Sequence, residues 1–121
     1  MTRRLRVPRL ALLLVLALAA PRMFTDPALA DPSCPAESIC FWTQADFQGE
    51  RTIVLNPQPD PERCTSLSPP SLSAKNLTGR VVLLSPGVSC DGVIDTPADG
   101  TLPAGSEAPL ISPATASFIV Y

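Results

Sequence analysis

Residues 40–55, CFWTQADFQGERTIVL, constrain the fold more than any other stretch of this chain. β-Branched and aromatic side chains at 40–43 and 50–55 set out two short strands, and 44–49 between them hold polar turn formers ending in a glycine. Trp42 and Phe47 precede Gly49 by seven and two residues, so both rings can fold over the hairpin. Gly49 then supplies a positive φ or a close backbone approach that a Cβ would forbid. The rings are expected to pack rather than to form an exposed aromatic platform.

The rest of the chain can be laid against this hairpin. Residues 31–38 form a proline-containing lead-in, and 56–70 carry Pro57, Pro59, Pro61, Pro69 and Pro70, which predicts a long loop. Residues 71–77 resume an extended pattern. RVVLLS at 80–85 is the strongest strand signal, 86–92 turns, and 93–95 reads as a short strand. Residues 96–109 read as a loop in which Gly100 should tolerate substitution, and 118–121 close the chain as an apolar strand. No stretch has a helical period, so the fold class is all-β.

A repeat explains this order. Gly49 and Gly92 lie 43 residues apart, each ending a turn between strands, and SPPSLSA at 68–74 aligns with SPATASF at 112–118 at an offset of 44. Ser73 and Ser117 fall where a hydroxyl can bond back onto the folded turn of its own half. The second copy is degenerate, with Ser85 at the place of Trp42 and Cys90 at that of Phe47. Two such four-stranded units packed face to face predict a Greek-key β-sandwich sharing one core.

The first thirty residues are set aside as a signal peptide. Arg3, Arg4, Arg6 and Arg9 precede an apolar run at 10–20, and Ala28-Leu29-Ala30 supplies a small-x-small cleavage pattern, so the mature domain is 31–121. That domain holds four basic and ten acidic side chains, a net charge of −6. Such a surface repels phosphate backbones and anionic lipids, which argues against nucleic acid and, after cleavage, membrane partners. All four cysteines are in the mature part, and an oxidising destination favours two disulfides. Three pairings are possible. The favoured one joins Cys34 to Cys40 as a local staple and Cys64 to Cys90 as a tie between the halves.

Chemistry is conspicuous for what is missing. The chain has no histidine, which removes Ser-His-Asp and Cys-His nucleophilic sites and the HExxH zinc helix together. The cysteine spacings lack a close CxxC pair for zinc. Asp91, Asp95 and Asp99 recur every four residues but sit among proline and glycine, and are read as solvated loop carboxylates. An enzyme is not expected, nor is a cofactor. Asn76-Leu77-Thr78 is a glycosylation sequon on an expected strand.

Trp42, Phe47-x-Gly49 and Ser73 together resemble the Greek-key motif of βγ-crystallins. PSCPAESIC, FQGERTIVL and LPAGSEAPL resemble, more narrowly, secreted peptidase inhibitors of the Streptomyces metalloproteinase inhibitor type, over residues 33–111. The resemblance implies a single βγ-crystallin-like domain that blocks extracellular metallopeptidases, and a monomer is expected. It also implies a reactive bond beside a disulfide-bonded cysteine in the second half, which here maps to Cys90-Asp91. Many βγ-crystallin domains bind calcium through acidic or amide residues just before the serine. Here those places hold Ser68-Pro69 and Ser112-Pro113, so no metal is expected there.

Inhibition needs no catalytic group, only an exposed loop held rigid. The expected inhibitory loop is 86–92, with Val88, Ser89, Cys90 and Asp91 at its centre, stiffened by Pro86 and anchored through Cys90. The charged Asp91 departs from the large apolar residue that thermolysin-type enzymes favour after the scissile bond, and the loop is shorter than the family's. The other reading is a non-inhibitory βγ-crystallin-like module with a structural or cell-surface binding role.

Overall fold

Strand β1 (Ser38–Gln44) sits in the interior with Ser38 to Trp42 all buried, and its alternation builds two cores at once. Ile39 and Phe41 point to one face, Cys40 and Trp42 to the other. The computed structural model describes residues 33–121; the expected signal peptide at 1–30 lies outside the described residues. β1 turns through a 3₁₀ segment (Ala45–Phe47) into β2 (Gln48–Leu55). The chain continues through β3 (Asp60–Ser71), β4 (Ser73–Asn76), β5 (Val82–Ser85), a second 3₁₀ segment (Ala98–Gly100), β6 (Thr101–Leu102), β7 (Glu107–Ala108) and β8 (Thr115–Val120).

These strands form two antiparallel four-stranded sheets, ordered β2-β1-β4-β7 and β3-β8-β5-β6. Each sheet takes three strands from one half of the chain and one from the other, β7 joining the first sheet and β3 the second. The protein is an all-β sandwich. Its inner core draws Ile39, Phe41, Ala74 and Ala108 from the first sheet, and Leu67, Val82, Leu84, Leu102, Phe118 and Val120 from the second. Phe41 and Phe118 meet across the sheets with ring centroids 5.0 Å apart. Burying one such ring is worth roughly 2–3 kcal/mol. On the outer face of the first sheet, Cys34, Cys40 and Trp42 form a second cluster with Phe47, Ile53 and Leu77.

Three expectations from sequence are corrected. The proline-rich segment is not a loop throughout, since Asp60–Ser71 is strand β3. It lies at the edge of its sheet, and its ladder shifts register twice. The residues paired with β8 are Asp60, Thr65, Ser66 and Ser71, so Pro61, Pro69 and Pro70 all fall outside the ladder, where a missing N–H costs nothing. Residues 93–95 form no strand; Ile94 instead plugs the inner core, and an isolated bridge follows from Thr96 to Ser112. Residues 96–109 are likewise not loop throughout, because β6 and β7 lie within them and each completes a sheet.

Gly100 requires a further correction. It is buried at φ +69, and a Cβ there would collide with the backbone oxygen of Leu84. Gly49, at φ +88, would meet the Thr43 hydroxyl first, a side-chain group that could turn away by giving up its bond from the Glu50 N–H. The residue expected to be tolerant is thus blocked by β5 itself.

Asn76 locks the far end of the sandwich. It is fully buried, and its amide nitrogen donates to the carbonyls of Arg80 (2.7 Å), Leu102 (3.1 Å) and Pro103 (3.1 Å). Its amide oxygen accepts from the Thr78 hydroxyl (2.6 Å) and the Thr78 N–H (3.1 Å). The asparagine of the sequon is therefore turned inward and committed.

Candidate functional site

Two turns, 44–49 and 86–92, are held by the same pattern of hydrogen bonds. In the first, Ser73 Oγ donates to the Gln44 carbonyl (2.6 Å) and accepts the Phe47 N–H (2.9 Å). In the second, Ser117 Oγ donates to the Gly87 carbonyl (2.5 Å) and accepts the Cys90 N–H (2.9 Å). Both serines are fully buried, although the backbone groups they bond are only partly covered. Phe47 and Cys90 take left-handed φ values of 61° and 59°, and Gly49 and Gly92 both stand at 88°. A non-glycine residue holds such a φ only under restraint.

The turns differ in what lies over them. Trp42 packs edge-to-face on Phe47 at 5.3 Å and is 4% exposed, with the Lys75 ammonium 4.5 Å from the Phe47 ring. Those aromatics are packed, and the first turn offers little for a partner to grip. At the second turn a disulfide stands where the ring pair would be. The structure joins Cys64 of β3 to Cys90, and Cys34 to Cys40.

Loop 86–92 carries further restraints. The Gly87 N–H donates to the Asp91 carbonyl (3.0 Å), closing the loop on itself. Ser66 Oγ donates to the Val88 carbonyl (3.1 Å) from β3. The Asp91 carboxylate folds back against Gly87, where it would obstruct a Cβ. Val88 nevertheless projects outward at 65% exposure, Ser89 and Asp91 are exposed, and Val93 just beyond is 68% exposed. The carbonyls of Gly87, Val88 and Asp91 are thus engaged internally, while those of Ser89 and Cys90 accept no hydrogen bond among the described residues.

Val88, Ser89, Cys90 and Asp91 therefore come together on one pinned, exposed loop. Ser66 belongs to the same assembly and was not legible beforehand, because its segment reads as a proline-rich loop rather than as the strand beside Ser117. Among the described residues no three His, Cys, Asp or Glu side chains gather in a way that could hold a metal ion.

A protein-family model described as peptidase inhibitor family I36 matches residues 28–96, more than half of the chain. The match takes in the first hairpin, all four cysteines and the whole of loop 86–92, and ends before β8. No curated protein matches the chain, and no solved structure does.

Proposed function

The chain belongs to peptidase inhibitor family I36, and from that premise we propose that it is an exported inhibitor of extracellular metallopeptidases acting through loop 86–92. The single observation that carries this reading is the pattern of restraint in the loop. Gly87 is held at both its N–H and its carbonyl, Val88 at its carbonyl, and Cys90 at its N–H and its sulfur. Of the carbonyls from Gly87 to Asp91, only those of Ser89 and Cys90 are left for an outside partner. A peptidase polarises the carbonyl of the bond it attacks, so a free carbonyl is the minimum a presented bond requires. Cys90-Asp91 meets that requirement, and the Asp91 N–H, unlike that of Cys90, has no hydrogen-bond partner among the described residues.

Rigidity is what the restraints supply. An enzyme that seizes a loop already ordered loses less conformational entropy on binding, and cut ends tied by a disulfide stay in register for resealing. The fold we assign to this arrangement is a βγ-crystallin-like Greek key in two worn copies. The matched serine bonds and the exchange of β3 and β7 between sheets support it. Residues 1–30 serve as the export signal, and the mature domain 31–121 acts as a monomer.

A second reading also has an observation behind it. Cys90 is left-handed at φ 59°, as Phe47 is in the packed first turn, whereas a peptidase cleft takes an extended chain. That shape suits a non-inhibitory βγ-crystallin-like binding module. Titration of a thermolysin-type peptidase with residues 31–121 separates the two. Inhibition saturating at one equivalent, strengthened by Asp91→Val, supports the inhibitor. No inhibition of any extracellular metallopeptidase at micromolar protein leaves the binding module.

A further inference from the structure

We propose that the Cys64–Cys90 disulfide is a modification site for low-molecular-weight thiols, opened by exchange while Cys34–Cys40 stays closed, and that its opening releases loop 86–92 from an otherwise intact sandwich. The two bonds sit in opposite surroundings. Cys34 and Cys40 are 1% and 0% exposed and belong to the buried cluster with Trp42. Cys64 is exposed on edge strand β3 and Cys90 is half-buried, and neither belongs to a core cluster. Exchange requires a thiolate to approach one sulfur in line with the S–S bond, so access decides which bond reacts. Cys64 offers that approach. It also lies between the paired positions Asp60 and Thr65, where the ladder with β8 shifts register, so its backbone is not fixed by strand pairing.

The chemistry balances with the thiol as reductant. A thiolate attacks Cys64 Sγ, the S–S bond breaks, and Cys90 leaves as a thiolate that takes up a proton. The product is a mixed disulfide on Cys64. A second thiol attacks the added sulfur, leaving Cys64 as a free thiol and the reagent as its own disulfide. Two thiols give up two electrons and two protons to one protein disulfide. Cys90 then loses its covalent anchor while still in a left-handed conformation that it holds only under restraint. Its hold reduces to the Ser117 bond and a weak thiol contact to the Phe118 carbonyl at 3.6 Å, and the loop's to these, Ser66 and the Gly87–Asp91 closure. Any loss of inhibition on opening rests on the inhibitory reading above; the site itself does not.

The test treats the oxidised protein with graded reduced glutathione at neutral pH without denaturant. Samples are quenched with iodoacetamide and the alkylated cysteines located by peptide mass mapping. Alkylation of Cys64 and Cys90 at least tenfold faster than of Cys34 and Cys40 is expected. The singly opened form should keep its far-ultraviolet circular dichroism and exchange its Cys90 amide proton at least tenfold faster. A rate difference below tenfold overturns the proposal, as does an unchanged Cys90 amide or loss of the dichroism as the bond opens. Peptidase inhibition by the singly opened form should fall at least tenfold. Selective opening with inhibition unchanged upholds the modification site and instead refutes the loop as the inhibitory element.

Discussion

Ser117→Ala removes one oxygen and, with it, the two hydrogen bonds that shape loop 86–92 from beneath. The hydroxyl is fully buried, donates to the Gly87 carbonyl at 2.5 Å and accepts the Cys90 N–H at 2.9 Å. A typical internal hydrogen bond contributes about 1 kcal/mol net, and a buried partner left unsatisfied costs about 1–3 kcal/mol. Cys90 is only half-buried, so water can reach part of what the variant exposes. The expected loss is therefore about 2–3 kcal/mol. With a urea m-value of about 1 kcal/mol/M for a domain this small, the midpoint should fall by roughly 2–3 M. Ser73→Ala makes the same two deletions in the first turn and should shift the midpoint similarly. The two variants separate by amide exchange. Ser117→Ala should deprotect the Cys90 N–H at least tenfold and leave that of Phe47 alone, and Ser73→Ala should do the reverse. A midpoint shift under 0.5 M for Ser117→Ala (about 0.5 kcal/mol), or a Cys90 amide that stays protected, would refute the reasoning.

Gly100→Ala should cost about 2 kcal/mol or more, since its Cβ would meet the Leu84 carbonyl at a left-handed φ, whereas Gly79→Ala, with open space around it, should be neutral or stabilising by under about 1 kcal/mol. Equal urea midpoints for the two would contradict this. Asn76→Ala strips three carbonyls and the Thr78 side chain of a buried partner and should destabilise by about 3 kcal/mol, read from the same transitions. Because Asn76 is fully buried, expression through a eukaryotic secretory pathway should yield folded protein whose intact mass carries no glycan. Asp91→Val should tighten inhibition of a thermolysin-type enzyme by about tenfold, as a charge no longer has to be desolvated; unchanged or weaker inhibition in a folded variant would remove Asp91 from the contact.

The first hairpin was legible because its signals are local. Alternation, a turn and a glycine lie within one window, and β1 and β2 form where they were expected. The serines were legible through the offset of 44 residues, since a hydroxyl bonding back onto its own turn leaves a trace in spacing. What escaped depends on neighbours far along the chain. Whether proline is tolerated at 61, 69 and 70 is decided by β8, whose partners on β3 are Asp60, Thr65, Ser66 and Ser71 and none of the prolines. The intolerance of Gly100 comes from Leu84, and the role of Ser66 from the carbonyl of Val88. Short strands such as β6 and β7 carry two residues each, too few to show any period.

The outer cluster on the first sheet also gives the protein a built-in optical reporter. Its one tryptophan, Trp42, shares a buried cluster with the Cys34–Cys40 disulfide, and its one tyrosine, Tyr121, follows β8 at the edge of the other sheet's ladder. A sulfur–sulfur bond beside an indole drains its excited state, so the native protein should be dim in indole emission and brighten when that cluster comes apart. Indole emission thus follows the outer cluster of the first sheet, and any interval between its transition and the loss of far-ultraviolet dichroism would mark a state in which that cluster has let go before the rest.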